Sequence, residues 1–233
     1  MQNNSDPEMS HTIKICGLST RASVEAALDA GADMIGLVRF PRSPRHVSLE
    51  LGQALSQAAK GRAVVVALTV DPDDAELDAI MQSLAPQVLQ LHGHESVARV
   101  AQIRERVGIP VMKAIGVAGR EDLEGIAAYD AVSDHLLLDA KPPKDGSALP
   151  GGNGLAFDWR LIDELDPGLD FMLSGGLNPD NVGQAIRLTG VSGIDVSSGV
   201  ESAPGVKDPE RIAAFVQAAR AAWAGRSEKD KSS

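Results

Sequence analysis

Cys16 and Asp139 are the residues of this sequence best placed to move protons. Cys16 ends the run TIKIC (12–16) and precedes Gly17, and Asp139 ends HLLLD after three leucines. A thiol becomes a base or nucleophile once a nearby cation favours its thiolate. A carboxyl held in apolar surroundings stays protonated and can give that proton away. Lys14 lies two residues before Cys16 and, in an extended run, points the same way. A buried lysine requires a carboxylate partner, and its charge would help a thiolate to form. Asp195, in GIDVSSG, is placed either to pair with Lys14 or to position what Asp139 acts on. Plainer readings stay open on residue type alone. A strand cysteine fits a small buried hydrophobe more readily than a base, and a buried aspartate fits a salt bridge as well as an acid.

Two other segments carry signals for anions. SGGL (174–177), with Gly175 and Gly176, and SSG (197–199), with Ser197, Ser198 and Gly199, are small-residue turns leading toward helix starts. Backbone N–H groups in such turns approach a phosphate closely. RFPRSPRHVS (39–48) holds three arginines stiffened by two prolines. It reads either as a solvated basic loop or as a clamp in which a guanidinium fork grips a carboxylate.

These residues need a scaffold, and the hydrophobic pattern supplies one. Eight short apolar runs, at 12–16, 34–38, 63–70, 87–92, 110–117, 133–140, 170–175 and 192–198, alternate with eight amphipathic stretches. Helix caps such as Ser48 and terminators such as Gly31 and Gly61 punctuate them. Strand–helix alternation predicts a parallel sheet covered by helices. An open doubly wound sheet shares that alternation, but eight repeats in 233 residues favour closure into a (β/α)₈ TIM barrel of the α/β class. The predicted organisation is a single barrel domain over 11–224, with disordered ends at 1–10 and 225–233. In such a barrel the chemistry lies at the C-terminal ends of the strands, and the turns after strands seven and eight are the usual phosphate site. The longest connection, 140–155, carries three prolines and four glycines. It reads as a substrate-covering loop rather than an inert insertion.

Composition narrows the partners. A net charge of −10 argues against nucleic acid and anionic membranes, which reward clustered cations. It also means that an anionic substrate must be drawn in by local donors, for which backbone amides suffice. The single cysteine cannot form an internal disulfide and suits a reducing cytoplasm. No apolar run is long enough to span a membrane, and the first ten residues lack the pattern of a signal peptide.

The chain resembles the phosphoribosylanthranilate isomerases of tryptophan biosynthesis. The matching segments are IKICGLST (13–20), GADMIGLVRFPRSPRHVS (31–48), LQLHGHE (89–95), KAIGV (113–117), LLLDAKPP and LPGGNGLAFDW (within 136–159), LSGGLNPDNV (173–182) and GIDVSSGVESAPGVKD (193–208). The resemblance implies an Amadori rearrangement of N-(5-phosphoribosyl)anthranilate, with no cofactor and no metal. It implies Cys16 as general base, Asp139 as general acid and Arg45 as the ligand of the anthranilate carboxylate. Gly175, Gly176, Ser197, Ser198 and Gly199 would bind phosphate, and Lys14 and Asp195 would support the site. Arg39 departs from the family, which usually has an apolar or aromatic residue there; it either alters packing beside the substrate or points outward. The rival readings are another phosphosugar isomerase or epimerase, including one that also serves histidine biosynthesis, and a non-catalytic barrel that binds a phosphometabolite. A cysteine in the base position speaks against the dual-substrate enzyme, and a mere binder has no need of Cys16 and Asp139 at strand ends. Oligomeric state is not encoded in these patterns.

Overall fold

A computed structural model describes residues 11–141, 158–166 and 168–230, the last four of these for their backbone. Eight strands are present: β1 (Thr12–Cys16), β2 (Met34–Arg39), β3 (Val64–Thr69), β4 (Val88–Leu91), β5 (Val111–Val117), β6 (His135–Ala140), β7 (Phe171–Leu173) and β8 (Gly193–Val196). They pair in chain order and in parallel, and β8 pairs with β1 to close the barrel. Each predicted run coincides with one strand: β1 matches its run, β2 extends one residue past its run to Arg39, and the other six strands are shorter than their runs.

Helices α1 (Arg21–Asp29), α2 (Leu49–Ala59), α3 (Asp74–Leu84), α4 (Val97–Val107), α5 (Ile126–Asp130), α6 (Val182–Thr189) and α7 (Pro209–Asp230) cover the outside. Their starts follow from local chemistry. Thr20 and Ser23 form a reciprocal capping box on α1, and Ser48, Asp73 and Ser96 cap the next three. Two predicted helices are reduced. Residues 120–130 split into a 3₁₀ turn (Arg120–Asp122) and the five-residue α5, with Gly125 at the break, and Trp159–Glu164 is 3₁₀ rather than α. At the other end α7 continues to Asp230, past the predicted start of a disordered tail at 225. Arg226, Glu228 and Lys229 are good helix formers, and no proline stops the helix after Gly225. The predicted N-terminal extension 1–10, the end of the tail (231–233) and nearly all of the predicted covering loop lie outside the described residues. Among the described residues no helix is long and apolar enough to cross a membrane.

The barrel interior is of two kinds. Inward-facing Met34, Val66, Val88, Met112, Ala114, Leu137 and Met172 form an apolar plug. Other inward positions are polar and equally buried: Lys14, Gln90, Asp139 and Asp195. A larger core lies between barrel and helices. There Trp223 of α7 is buried, donates its indole N–H to Val191 O at 2.9 Å and stacks on His11 at 4.9 Å. Arg220, one turn earlier, reaches Asp33 at 2.7 Å and the carbonyl of His11. The last helix thus fastens the start of β1 to the end of the chain. Trp223→Ala should cost about 3–5 kcal/mol, read as a lower midpoint in urea unfolding; an unchanged midpoint would mean that α7 does not clasp the barrel.

Candidate active site

The C-terminal ends of the strands gather the predicted residues at one mouth. Lys14 and Asp195 are register partners on β1 and β8, so the pair forms between adjacent strands. Lys14 Nζ donates to Asp195 Oδ1 at 2.8 Å, and Ser174 Oγ donates to Asp195 Oδ2 at 3.1 Å. Lys14 is fully buried. Burial opposes its charge, but Asp195 outweighs that and holds the ammonium above the ordinary lysine range. The predicted pairing is therefore present, and the positive end stays charged.

Cys16 lies two residues further on, 4 % exposed, with Val38 and Leu68 as apolar neighbours. Gly36 on β2 leaves room for it: a Cβ there would come within 2.7 Å of the thiol sulfur. The expectation that Lys14 lowers the thiol has the right sign but the wrong outcome. Burial pushes the Cys16 thiol up, and the Lys14 and Lys207 cations only partly oppose this while Asp195 adds to it.

Asp139 stands on β6, away from β1 and its two barrel neighbours. Its Oδ1 accepts from the backbone N–H of Ala140 at 2.9 Å, and its Oδ2 meets His92 Nε2 at 3.2 Å. His92 Nδ1 in turn meets Gln90 Nε2 at 3.1 Å. The sequence pattern assigned no role to Gln90 or His92. The signal was available, since 90 and 92 share one face at the end of β4.

Arg45 is not a loose clamp. It is buried and grips Glu201 with two parallel bonds, Nε to Oε1 at 2.7 Å and Nη2 to Oε2 at 2.8 Å. Glu201 begins a hairpin missing from the predicted elements, β9 (Glu201–Ala203) with β10 (Val206–Lys207). Lys207, on β10, reaches Glu201 Oε1 at 2.8 Å and the carbonyl of Ser197 at 2.8 Å. Two cations share one carboxylate, so this corner is locally positive in an acidic protein. The backbone amides are therefore not the only draw for an anion.

Gly17 lets these groups converge. It holds a left-handed φ of +77°, and a Cβ there would lie 2.5 Å from Arg45 Cδ and 3.0 Å from Ser197 Oγ. The two small-residue turns also touch: a Cβ on Gly199 would overlap the Leu177 carbonyl oxygen. Gly175 and Gly176 adopt positive φ after β7, and Ser198–Val200 forms a 3₁₀ turn after β8. Arg39 faces away from the interior, bonded to Glu76 at 2.9 Å and Val47 O at 2.6 Å.

Residues 13–218 match the family model described as N-(5'phosphoribosyl)anthranilate (PRA) isomerase. An N-(5'-phosphoribosyl)anthranilate isomerase of Rhodopseudomonas palustris (strain BisB18) is 59% identical over 209 residues, covering 90% of this chain and 95% of that protein. The one from Bradyrhizobium diazoefficiens is 59% identical over 213 residues, covering 91% and 95%. Among solved structures, the phosphoribosyl anthranilate isomerase of Thermotoga maritima superposes with a TM-score of 0.79 at 33% identity, covering 90% of this chain and 98% of that one. Another, solved with reduced 1-(o-carboxyphenylamino)-1-deoxyribulose 5-phosphate, gives 0.76 at 31%, with the same coverage.

The chain has a single cysteine, so its thiol can be titrated by thiolate absorbance without interference from another. Lys14→Met removes a cation that favours the thiolate, and the thiolate signal should appear at higher pH than in the parent protein. A titration that stays in place would remove Lys14 from control of the thiol.

Proposed function

The chain belongs to the N-(5'-phosphoribosyl)anthranilate isomerase family, and from that premise we propose that Cys16 is the general base of its reaction and Asp139 the general acid. The protein is an isomerase of tryptophan biosynthesis. The observation that carries the assignment is that the one thiol and a buried carboxyl face the same barrel mouth from different sides, beside the two touching turns.

Asp139 gives its proton to the furanose ring oxygen as the C1'–O bond breaks. The nitrogen lone pair forms C=N, leaving an iminium. Cys16 as thiolate removes the proton from C2', the C–H electrons become a C=C bond, and the iminium electrons return to nitrogen. The enolamine then tautomerises to the ketone. Atoms balance without a co-reactant. The enzyme ends as carboxylate and thiol, so one proton passes back before the next turnover. Arg45 binds the anthranilate carboxylate, its plane fixed by Glu201, and Val38 and Leu68 offer the ring an apolar wall. Gly175, Gly176, Ser197, Ser198 and Gly199 bind phosphate, with Lys207 bracing Ser197 from behind. Lys14 and Asp195 support the base. We place the reaction in the cytoplasm, where a lone thiol stays reduced.

The chemistry needs a protonated carboxyl and an ionised thiol together. A carboxyl ordinarily titrates below a thiol, and burial of Cys16 works in the direction that widens the gap. The working form is then the minority partner of carboxylate plus thiol. Its population is flat between the two titrations, falling in acid as Asp139 is fully protonated and Cys16 ionises ever less, and in alkali as Asp139 loses its last protonated fraction. In any such reversed pair the acid limb reports the carboxyl and the alkaline limb the thiol.

Cys16→Ala and Asp139→Asn should each lower kcat by several orders of magnitude with substrate affinity largely kept, followed as loss of anthranilate fluorescence from freshly made substrate. Near-parental turnover in either would cancel that residue's role. Arg45→Ala should chiefly raise KM, and an unmoved KM would take it out of the carboxylate site.

A further inference from the structure

We propose that Gln90 is a positioning residue whose side-chain amide, acting through His92, turns over with the proton on Asp139 so that the acid is supported in both of its protonation states. The proposal rests on Asp139 being the acid. Gln90 is fully buried on β4, faces the barrel interior and bonds His92 Nδ1 at 3.1 Å. His92 Nε2 stands 3.2 Å from Asp139 Oδ2. On the intervening strand the residue in register with Asp139 is Gly116, which has no side chain.

A neutral imidazole carries one N–H and one lone pair. When the Gln90 NH₂ faces Nδ1, the ring proton is on Nε2 and donates to Asp139, which suits a carboxylate. When the Gln90 oxygen faces Nδ1, the ring proton is on Nδ1, and Nε2 accepts from Asp139 O–H, which suits the neutral acid. A glutamine amide can serve both states because its two ends differ in chemistry and hardly in shape. Most buried amides cannot turn, because both ends are held. Here Gln90 Oε1 is buried and has no hydrogen-bond partner among the described residues. With the far end unheld, His92 alone decides which end faces it. Among the described residues, the other titratable groups facing the barrel interior are Cys16 and the Lys14–Asp195 pair, on β1 and β8, and beside His92 the buried Lys113 donates to the Gly93 carbonyl and pairs with Glu95 at 2.7 Å. Lys141, just past the end of Asp139's strand, is engaged by Asp122 at 2.5 Å.

Gln90→Met keeps the bulk and removes both bonds. A buried Nδ1 without a partner then favours the lone pair there, so His92 keeps donating to Asp139 and the carboxylate gains. The acid limb of the kcat/KM profile should move down by about one pH unit, and the plateau should fall by the matching factor of about ten. The two shifts should agree in size, which a packing defect would not produce. In a His92→Asn background the same substitution should move neither. If Asp139→Asn abolishes turnover while Gln90→Met leaves the acid limb in place, or moves it equally without His92, the relay is wrong and the acid assignment stands. If Asp139→Asn stays active, the underlying assignment fails instead. A spectroscopic readout of the imidazole itself does not depend on turnover. Asp139→Asn mimics the neutral acid without acidification, since its oxygen keeps the Ala140 N–H and its NH₂ then faces His92 Nε2. The ¹⁵N imidazole spectrum at mildly alkaline pH, assigned with His92→Asn, should show the Nε2–H tautomer in the parent protein and the Nδ1–H tautomer in Asp139→Asn. The same tautomer in both would overturn the proposal.

Discussion

A lysine ammonium in the middle of a closed barrel has no water to turn to, and the pairing of Lys14 with Asp195 is the constraint around which the mouth is arranged. The two residues are in register on β1 and β8, so the ion pair spans the seam at which the sheet closes. Removing one partner of such a pair leaves an uncompensated buried charge, a loss of about 3–5 kcal/mol. Asp195 also holds Ser174, which leads into the turn after β7. Cys16 is two residues along the same strand as the lysine. The groups that touch the proposed phosphate turn, the proposed base and the barrel seam are thereby parts of one electrostatic assembly.

That assembly works against a powerful opponent. Cys16 is buried among apolar side chains, and desolvation outweighs the two lysines that favour its thiolate. The same burial that keeps the thiol unreactive at rest would exclude water from the iminium. In the proposed mechanism a cationic iminium beside the sulfur would supply the further positive charge that the resting site lacks, so the proposed base would be best ionised once the substrate has opened.

Much of this was legible in the residue pattern, and the reason is periodicity. Inward-facing residues alternate along each strand, so the pattern alone aims Lys14 with Cys16, and Asp139 after its leucines, into the barrel. The pairing of Lys14 with Asp195 was one of two options until strand order put β8 beside β1. The hairpin of Glu201 and Lys207 was missed because its strands are three and two residues long, too short for any period to show. Arg45 carries the lesson furthest. Its type and loop suggested a fork for a carboxylate, but only tertiary structure reveals that the fork already holds Glu201. Gln90 and His92 were visible as a same-face pair, yet nothing local says that their neighbour two strands away is Asp139.

The hairpin that joins Glu201 to Lys207 has one more effect. Through Glu201 it fixes Arg45, and through Lys207 it fixes Ser197, so both proposed anion grips hang from a single short piece of backbone. Their separation is then held by one hairpin and its charged hydrogen bonds rather than by two loops that move independently. Such a site behaves as a caliper. With the two proposed grips it would measure the span between a carboxylate and a phosphate, and would reject a molecule one bond too long or too short even when both of its charges are correct.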